Sequence, residues 1–208
     1  IIYADPPFFS NRNYEIIWGN GAEMKVYEDR WEGKINHYYG WMEERLQQCH
    51  RVLKDTGSIY LHCDWHANSH LRLLMDKIFG ENNFQNEIIW FYKGGGQSKA
   101  RFPRRHDTLL FYSKSKSWTF NYDIPELKTD YCRELRNEVA IRKQNGQKKV
   151  YHWKGNPLGK MIEDVWEIPI INPVSKERLG YPTQKPEALL KRIIVASSNP
   201  GDIVLDPF

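Results

Sequence analysis

Apolar positions along the chain fall into short runs and helical stripes rather than one continuous pattern. Ile1-Ile2-Tyr3-Ala4 reads as a short buried strand. Asp5-Pro6-Pro7-Phe8 stops it, because two prolines cannot continue a ladder. Residues 9–36 are polar and aromatic, with scattered Gly and Asn and no sustained period, and read as a long, partly mobile loop. Tyr38, Met42, Leu46, Cys49 and Leu53 then recur at helical spacing until Asp55-Thr56-Gly57 ends the stripe. Ser58 to Cys63 is a strand running into His62-Cys63-Asp64, and Leu71, Leu74, Met75 and Ile78 mark a second helix closed by Gly80. Strand, helix, strand, helix is the order of a parallel sheet with crossover helices.

The pattern then changes. Glu87 to Tyr92 and Thr108 to Tyr112 predict an antiparallel pair, joined by a loop holding Gly94-Gly95-Gly96. Residues 113–161 have weak periodicity, and a helix over Lys128 to Lys143 is the reading their composition favours. After Tyr181-Pro182-Thr183-Gln184-Lys185-Pro186, the stripe Leu189, Leu190, Ile193 and Ile194 predicts a helix. Asn199-Pro200-Gly201 is a turn, and Asp202 to Leu205 reads as a second buried strand ending in Asp206-Pro207-Phe208. Both acidic-proline motifs therefore follow strands. If the two strands share one parallel sheet, the motifs share an edge, where ligands of open sheets bind. Taken alone, each motif is also an ordinary strand-terminating turn.

Charge sharpens this picture. The net charge of +4 hides a basic centre. Residues 91–161 carry 16 Lys and Arg against 6 Asp and Glu, while residues 1–90 carry 9 against 13 and residues 162–208 carry 5 against 7. A basic centre between acidic ends suits a polyanionic partner or, equally, a solvated surface. Eight Trp, twelve Tyr and nine Phe are more rings than a core of this size needs. Hydrophobic residues at 40% exclude a disordered chain. No apolar run reaches membrane-span length and no basic-then-apolar leader precedes the first strand. Cys49, Cys63 and Cys132 are odd in number and lack a CxxC pair, which fits reduced thiols in a cytosol.

The first motif has the parts for one particular chemistry. An exocyclic amine on a nucleobase is a poor nucleophile, because its lone pair is delocalised into the ring. A carboxylate and a rigid carbonyl, here Asp5 and Pro6, can each accept one amine N–H and aim the lone pair at a methyl donor. Phe8 offers a flat face for a base taken out of its stack.

DPPF after a strand, then TQKP, then NPGDIVLDPF resembles the amino-group DNA methyltransferases that use S-adenosylmethionine. The order of motifs is similar to their circularly permuted beta class, and YLHCDWH, RRHDTLLFYSK and GYPTQKPEALLKRIIVASSNPGDIVLDPF resemble its adenine-specific members. The resemblance covers most of the chain and is weakest over 113–161. It implies an α/β fold, a Rossmann-like methyltransferase sheet with crossover helices, permuted, incomplete and carrying an inserted basic target-recognition region. Residues 1–112 would be the catalytic part, 113–175 the target-recognition region and 176–208 the TQKP helix with the start of the cofactor motif.

Residue by residue, the resemblance makes Asp5, Pro6, Pro7 and Phe8 the catalytic motif, with Asp5 also against the cofactor. Asp206, Pro207 and Phe208 match the start of the cofactor loop. Thr183 and Lys185 match the motif beside the methionine part, where Lys185 pairs with its carboxylate. The basic stretch with Lys93, Lys99, Arg101, Arg104 and Arg105 would meet double-stranded DNA, and Tyr92, Phe102, Tyr112, Trp118 and Tyr122 supply rings that either stack on DNA or belong to the core. Asp at position 5, rather than Ser, resembles adenine-N6 enzymes more than cytosine-N4 ones. A bacterial or phage-type cytoplasmic enzyme of a restriction–modification system follows, with an endonuclease subunit or a second copy of the chain as further partners. The glycine-rich turn and acidic residue that follow LDPF in the family are absent, which implies a fragment that binds the cofactor poorly and turns over little.

Other readings of the same residues stay open. A cytosine-N4 enzyme, methylation of RNA or of a protein amide, and a non-catalytic nucleic-acid-binding module all accommodate the basic centre. The last leaves DPPF and TQKP without a purpose. His62, Asp64, His66 and His70 raise a metal site, but no Glu follows His66 as in metalloproteases and methyl transfer needs no metal. His62 and Asp64 read instead as shaping the cleft edge. Gly94-Gly95-Gly96 lacks the GK[ST] of a P-loop and suits a loop that orders on a DNA backbone.

Overall fold

The computed structural model describes residues 1–10, 12–17, 23–29, 31, 35–96, 98–129, 139–144, 147–152, 159–181 and 183–208, with backbone alone at 12–17, 23–28, 139–144 and 147–152. In chain order its elements are β1 (Ile2–Ala4), β2 (Arg12–Ile17), β3 (Glu23–Asp29), α1 (Ile35–Val52), β4 (Ser58–Cys63), α2 (Asn68–Phe79), β5 (Phe84–Phe91), β6 (His106–Ser113), β7 (Lys128–Thr129), β8 (Val139–Gln144), β9 (Gln147–His152), β10 (Lys160–Met161), β11 (Val165–Glu167) and α3 (Glu187–Ser197). They form two compact units, Ile1–Phe120 with Asp164–Phe208, and Asn121–Glu163. Among the described residues no helix is long and apolar enough to cross a membrane.

The first unit is built on a mixed five-stranded sheet of order β1-β4-β6-β5-β11. β1 and β4 run parallel, with Ile2 opposite Ile59 and Ala4 opposite Leu61, as the strand–helix–strand order predicts. β6 is antiparallel to β4 and to β5, which establishes the predicted hairpin. β11 adds to β5 in parallel, a short strand that no periodicity announces. Alternation along β4 divides its side chains between two faces. Ile59, Leu61 and Cys63 join Ile2, Ala4, Leu110 and Tyr112 beneath Tyr38, Met42 and Leu46 of α1 and Leu71, Leu74 and Met75 of α2. Each fully buried leucine there contributes about 1.5–3 kcal/mol. On the other face Tyr60 stacks on Phe111 at 4.4 Å, and its hydroxyl meets Ser197 Oγ of α3 at 2.7 Å.

Three sequence expectations are corrected. Within 9–36 the chain forms the antiparallel pair β2–β3, not a loop; Arg12-Asn13-Tyr14-Glu15 does not alternate, so a backbone ladder forms without a side-chain signature. Residues 202–205 are not a buried strand. They make one parallel bridge, Leu205 beside Ile2, through Tyr3 N–H to Leu205 O and Leu205 N–H to Ile1 O, each 3.0 Å, and Ile203 is 76% exposed. Three-residue β1 offers too short an edge to extend that ladder. Of the helix expected over Lys128 to Lys143, 128–129 and 139–144 are strands and 130–138 lies outside the described residues. Val139 and Ile141, paired with His152 and Val150, favour the pleated ladder over the helix-forming Lys and Arg around them.

The second unit consists of the antiparallel pairs β7–β10 and β8–β9. Gly159 enters β10 with φ +91°, and a Cβ there would lie 2.1 Å from the Thr129 carbonyl oxygen, so the close backbone approach requires glycine.

Candidate active-site cleft

Because β1 and β4 are parallel, their carboxyl ends share one edge of the sheet, and the first acidic-proline motif leaves from it. The Tyr38 hydroxyl on α1 donates to the Pro7 carbonyl at 2.8 Å and fixes the turn after Asp5. Burial pushes the Tyr38 phenol well above its ordinary pKa, and the charges of Asp29 and Asp64 add to it, so it remains a donor. Phe9 takes a left-handed φ of 60°, a conformation costing about 1–3 kcal/mol, and its ring packs 5.5 Å from Tyr38. Asp29 braces the same turn from beneath: it is fully buried and accepts from Ser10 N–H and Oγ–H at 2.6 Å and from Trp31 Nε1–H at 2.7 Å. Pro6 is buried, and the Phe8 ring stands 5.2 Å from His62.

The second motif arrives at the same place. Leu205 pairs with β1, and Asp206 and Phe208 then line a cavity of about 600 Å³ together with Asp5, Pro7, Thr183 and Lys185. Trp41, Tyr3 and Leu190 supply apolar wall. Pro207 turns away into a neighbouring cavity against Cys49 and Val52. Lys185 Nζ donates to Asp5 Oδ2 and, at 3.2 Å, to the Thr183 carbonyl, and it lies 5.4 Å from the Phe8 ring. Gln184 holds the approach to α3, bonding Leu179 N–H and the Glu177 carbonyl at 2.8 Å each. Burial raises the pKa of Asp206; the Phe208 backbone N–H opposes that, the Asp5 charge adds to it, and Lys185 offsets part of it.

The cleft extends one layer deeper than the motifs. His62 is fully buried, with Nδ1 sharing a hydrogen bond of 2.8 Å with the Tyr3 hydroxyl. The same Nδ1 is 3.4 Å from Asp5 Oδ1, and Nε2 is 3.5 Å from Asp107 Oδ2 on β6. Burial, followed by the charges of Asp5, Asp206 and Asp107, raises the Tyr3 phenol well above its usual pKa. Sequence reading placed His62 at the strand end but could not place Asp107, whose partnership depends on the β4–β6 register. Burial also pushes the Cys63 thiol far up, which makes it an inert core side chain. His66 bonds Asp64 at 2.7 Å and His70 is exposed; among the described residues no His, Cys, Asp or Glu cluster is arranged for a metal ion.

The basic residues of the β5–β6 loop have separate environments. Lys99 and Arg101 are exposed, and Phe102 between them and Arg104 is 94% exposed. Arg104 lies over the Trp65 ring at 3.4 Å, while Lys93 is ion-paired to Glu167. Arg105 reaches back to the carbonyls of its own loop, 2.8 Å from Gly96 O. Of the other rings, Tyr112 belongs to the core, and the Tyr92 hydroxyl donates to Asp107 Oδ1 at 3.2 Å.

A model of the DNA methylase family matches residues 1–208. The chain is 34% identical over 212 residues to the DNA adenine methyltransferase YhdJ of Escherichia coli K12, covering 100% of this chain and 64% of that protein. It is 32% identical over 209 residues to the Type II methyltransferase M.HpaI of Haemophilus parainfluenzae, covering 100% of this chain and 56% of that protein. Among solved structures it is similar to the PvuII DNA methyltransferase, described as cytosine-N4-specific, with a TM-score of 0.62 at 13% identity over 99% of this chain and 66% of that one. That likeness is one of fold. The chain spans less than two thirds of the length of the curated relatives named here.

Proposed function

The chain belongs to the DNA methylase family, and from that premise we propose that its cleft moves a methyl group from S-adenosylmethionine to the N6 amine of an adenine swung out of double-stranded DNA. The observation that carries this reading is the meeting of Asp5, Lys185 and Asp206, from three motifs at the two ends of the chain, around one cavity. Adenine is favoured by Asp at position 5 and by the name of the relative YhdJ.

The cavity suits the donor: about 600 Å³ lies within the usual range of small-molecule sites, its wall is largely aromatic and aliphatic, and Lys185 is a cation able to hold an amino-acid carboxylate. S-adenosylmethionine supplies a methyl group on a positively charged sulfur. The protein's part is orientation. Asp5 accepts one amine N–H and the Pro6 carbonyl the other, which localises the nitrogen lone pair; Phe8 supports the base by stacking. As the N–C bond forms and the S–C bond breaks, the amine sheds a proton, and the Asp5 carboxylate takes it. No covalent enzyme intermediate is needed.

In this reading the motif order is that of a permuted methyltransferase, residues 121–163 belong to the target-recognition region, and Lys99, Arg101 and Arg104 meet the phosphate backbone. The type II names among the relatives favour a restriction–modification setting, with a cognate endonuclease as functional partner and a second copy as a further one.

Asp5→Ala tests the assignment. In the intact enzyme, methyl transfer to DNA should fall by at least about 10³-fold while duplex affinity stays within about twofold. Mass analysis of the digested DNA should show N6-methyladenine. Retained turnover in the variant removes Asp5 from its role, and N4-methylcytosine overturns the choice of base.

A further inference from the structure

Two polar atoms in the cleft are buried without a hydrogen-bond partner: Asp5 Oδ1 and His62 Nε2. Each such atom carries an uncompensated desolvation penalty, and the two stand at either end of one short chain of groups. Asp107 Oδ2 faces Nε2 at 3.5 Å and Asp5 Oδ1 faces Nδ1 at 3.4 Å, so the His62 ring lies between two carboxylates, one on the loop after β1 and one on β6. Tyr3 holds the ring from β1, Trp90 meets it at 5.5 Å from β5, and Phe8 covers it at 5.2 Å. The ring is pinned on each side, and Asp5 remains a few tenths of an ångström short of it. What draws the carboxylate the other way is Lys185, on Oδ2.

We propose that His62, backed by Asp107, is the positioning residue of Asp5: when Lys185 leaves Oδ2 for the carboxylate of the methyl donor, Oδ1 closes onto His62 Nδ1, and this contact aims Asp5 at the target amine. The inference rests on the reading that Asp5 binds that amine. A buried carboxylate behind a histidine fixes the ring's proton placement and orientation, and the histidine in turn orients the group in front of it. A ring that donates to Asp107 through Nε2 and to Asp5 through Nδ1 carries a proton on each nitrogen, so closure takes up one proton from solution and exchanges the Tyr3 hydroxyl for Asp5 Oδ1 at Nδ1. His62 touches no substrate atom in this arrangement; it acts through Asp5.

Asp107→Asn provides the first test, since it keeps the side chain's size and leaves the Asp5–Lys185 pair in place. Methyl transfer measured with S-adenosylmethionine and duplex DNA should show kcat lowered about tenfold with KM for both substrates within about twofold. His62→Gln should lower kcat further. The second readout needs no turnover: in protein labelled with ¹⁵N-histidine, Asp5→Asn should shift the His62 Nδ1 resonance, Asp107→Asn the Nε2 resonance, and Lys185→Met should move Nδ1 from its Tyr3-bonded position to that of a protonated nitrogen donating to a carboxylate. A His62 ring indifferent to Asp5→Asn, or an Asp107→Asn protein with unchanged kcat, overturns the proposal. If the resonances respond while the parent protein methylates no DNA, the positioning role stands and the proposed reaction falls.

Discussion

At the scale of the residue, burial decides which side chains act and which only pack. Asp5, Lys185 and Asp206 were legible because each belongs to a short motif whose residue types the chemistry demands. His62 was legible only as a strand end, since Tyr3 and Asp107 reach it through pairing registers that one sequence does not display. His50 gives a residue-level expectation of a different kind. Its partial burial lowers its pKa below the ordinary value of about 6.5, the Lys114 charge adds to this, and Asp55 opposes it. The unfolded chain then binds a proton that the folded chain resists, so stability falls as pH drops through about 6.5. Thermal unfolding should show a lower midpoint at pH 5.5 than at pH 7.5, and His50→Gln should flatten part of that slope; an unchanged slope would assign the pH dependence to other groups.

At the scale of the element, α1, α2, β4 and the β5–β6 hairpin follow directly from their apolar periods, since each buries one face against the others. The β2–β3 and β8–β9 pairs escape such reading. Their ladders are held by backbone groups, and charged residues such as Arg142, Lys148 and Lys149 disguise the strands as helix or loop. The short β11 is specified by its neighbour β5 more than by itself. In the unit formed by Asn121–Glu163, Gly159 is the residue on which an element depends. Gly159→Ala adds a Cβ 2.1 Å from the Thr129 carbonyl oxygen in a left-handed backbone, so the β7–β10 pairing should open. Hydrogen exchange would register this as lost protection at Ile162, whose N–H bonds Leu127 O at 2.9 Å, while amides of β4 keep theirs. Protection retained at Ile162 would show that the backbone shifts to accept the methyl group.

At the scale of the whole molecule, charge and cleft impose different requirements. The excess of basic residues over 91–161 was plain from composition, but composition could not tell free cations from occupied ones. Lys99 and Arg101 are exposed, whereas Lys93 is neutralised by Glu167 and Arg105 holds its own loop. If Lys99 and Arg101 meet phosphates, replacing either with Ala should reduce the slope of log affinity against log salt for duplex DNA by about one, and Lys93→Ala should change it less. Equal slopes for all three would place the contacts elsewhere. The ion pair between Lys185 and Asp5 has a further consequence for how the molecule would work in time. At rest the cleft is latched by its own cation, and an arriving base would find Asp5 Oδ2 already taken. On the proposed reading, the carboxylate of the methyl donor calls the lysine away first, so the two ligands would enter in sequence, donor before DNA, and idle encounters with DNA would leave the latch shut.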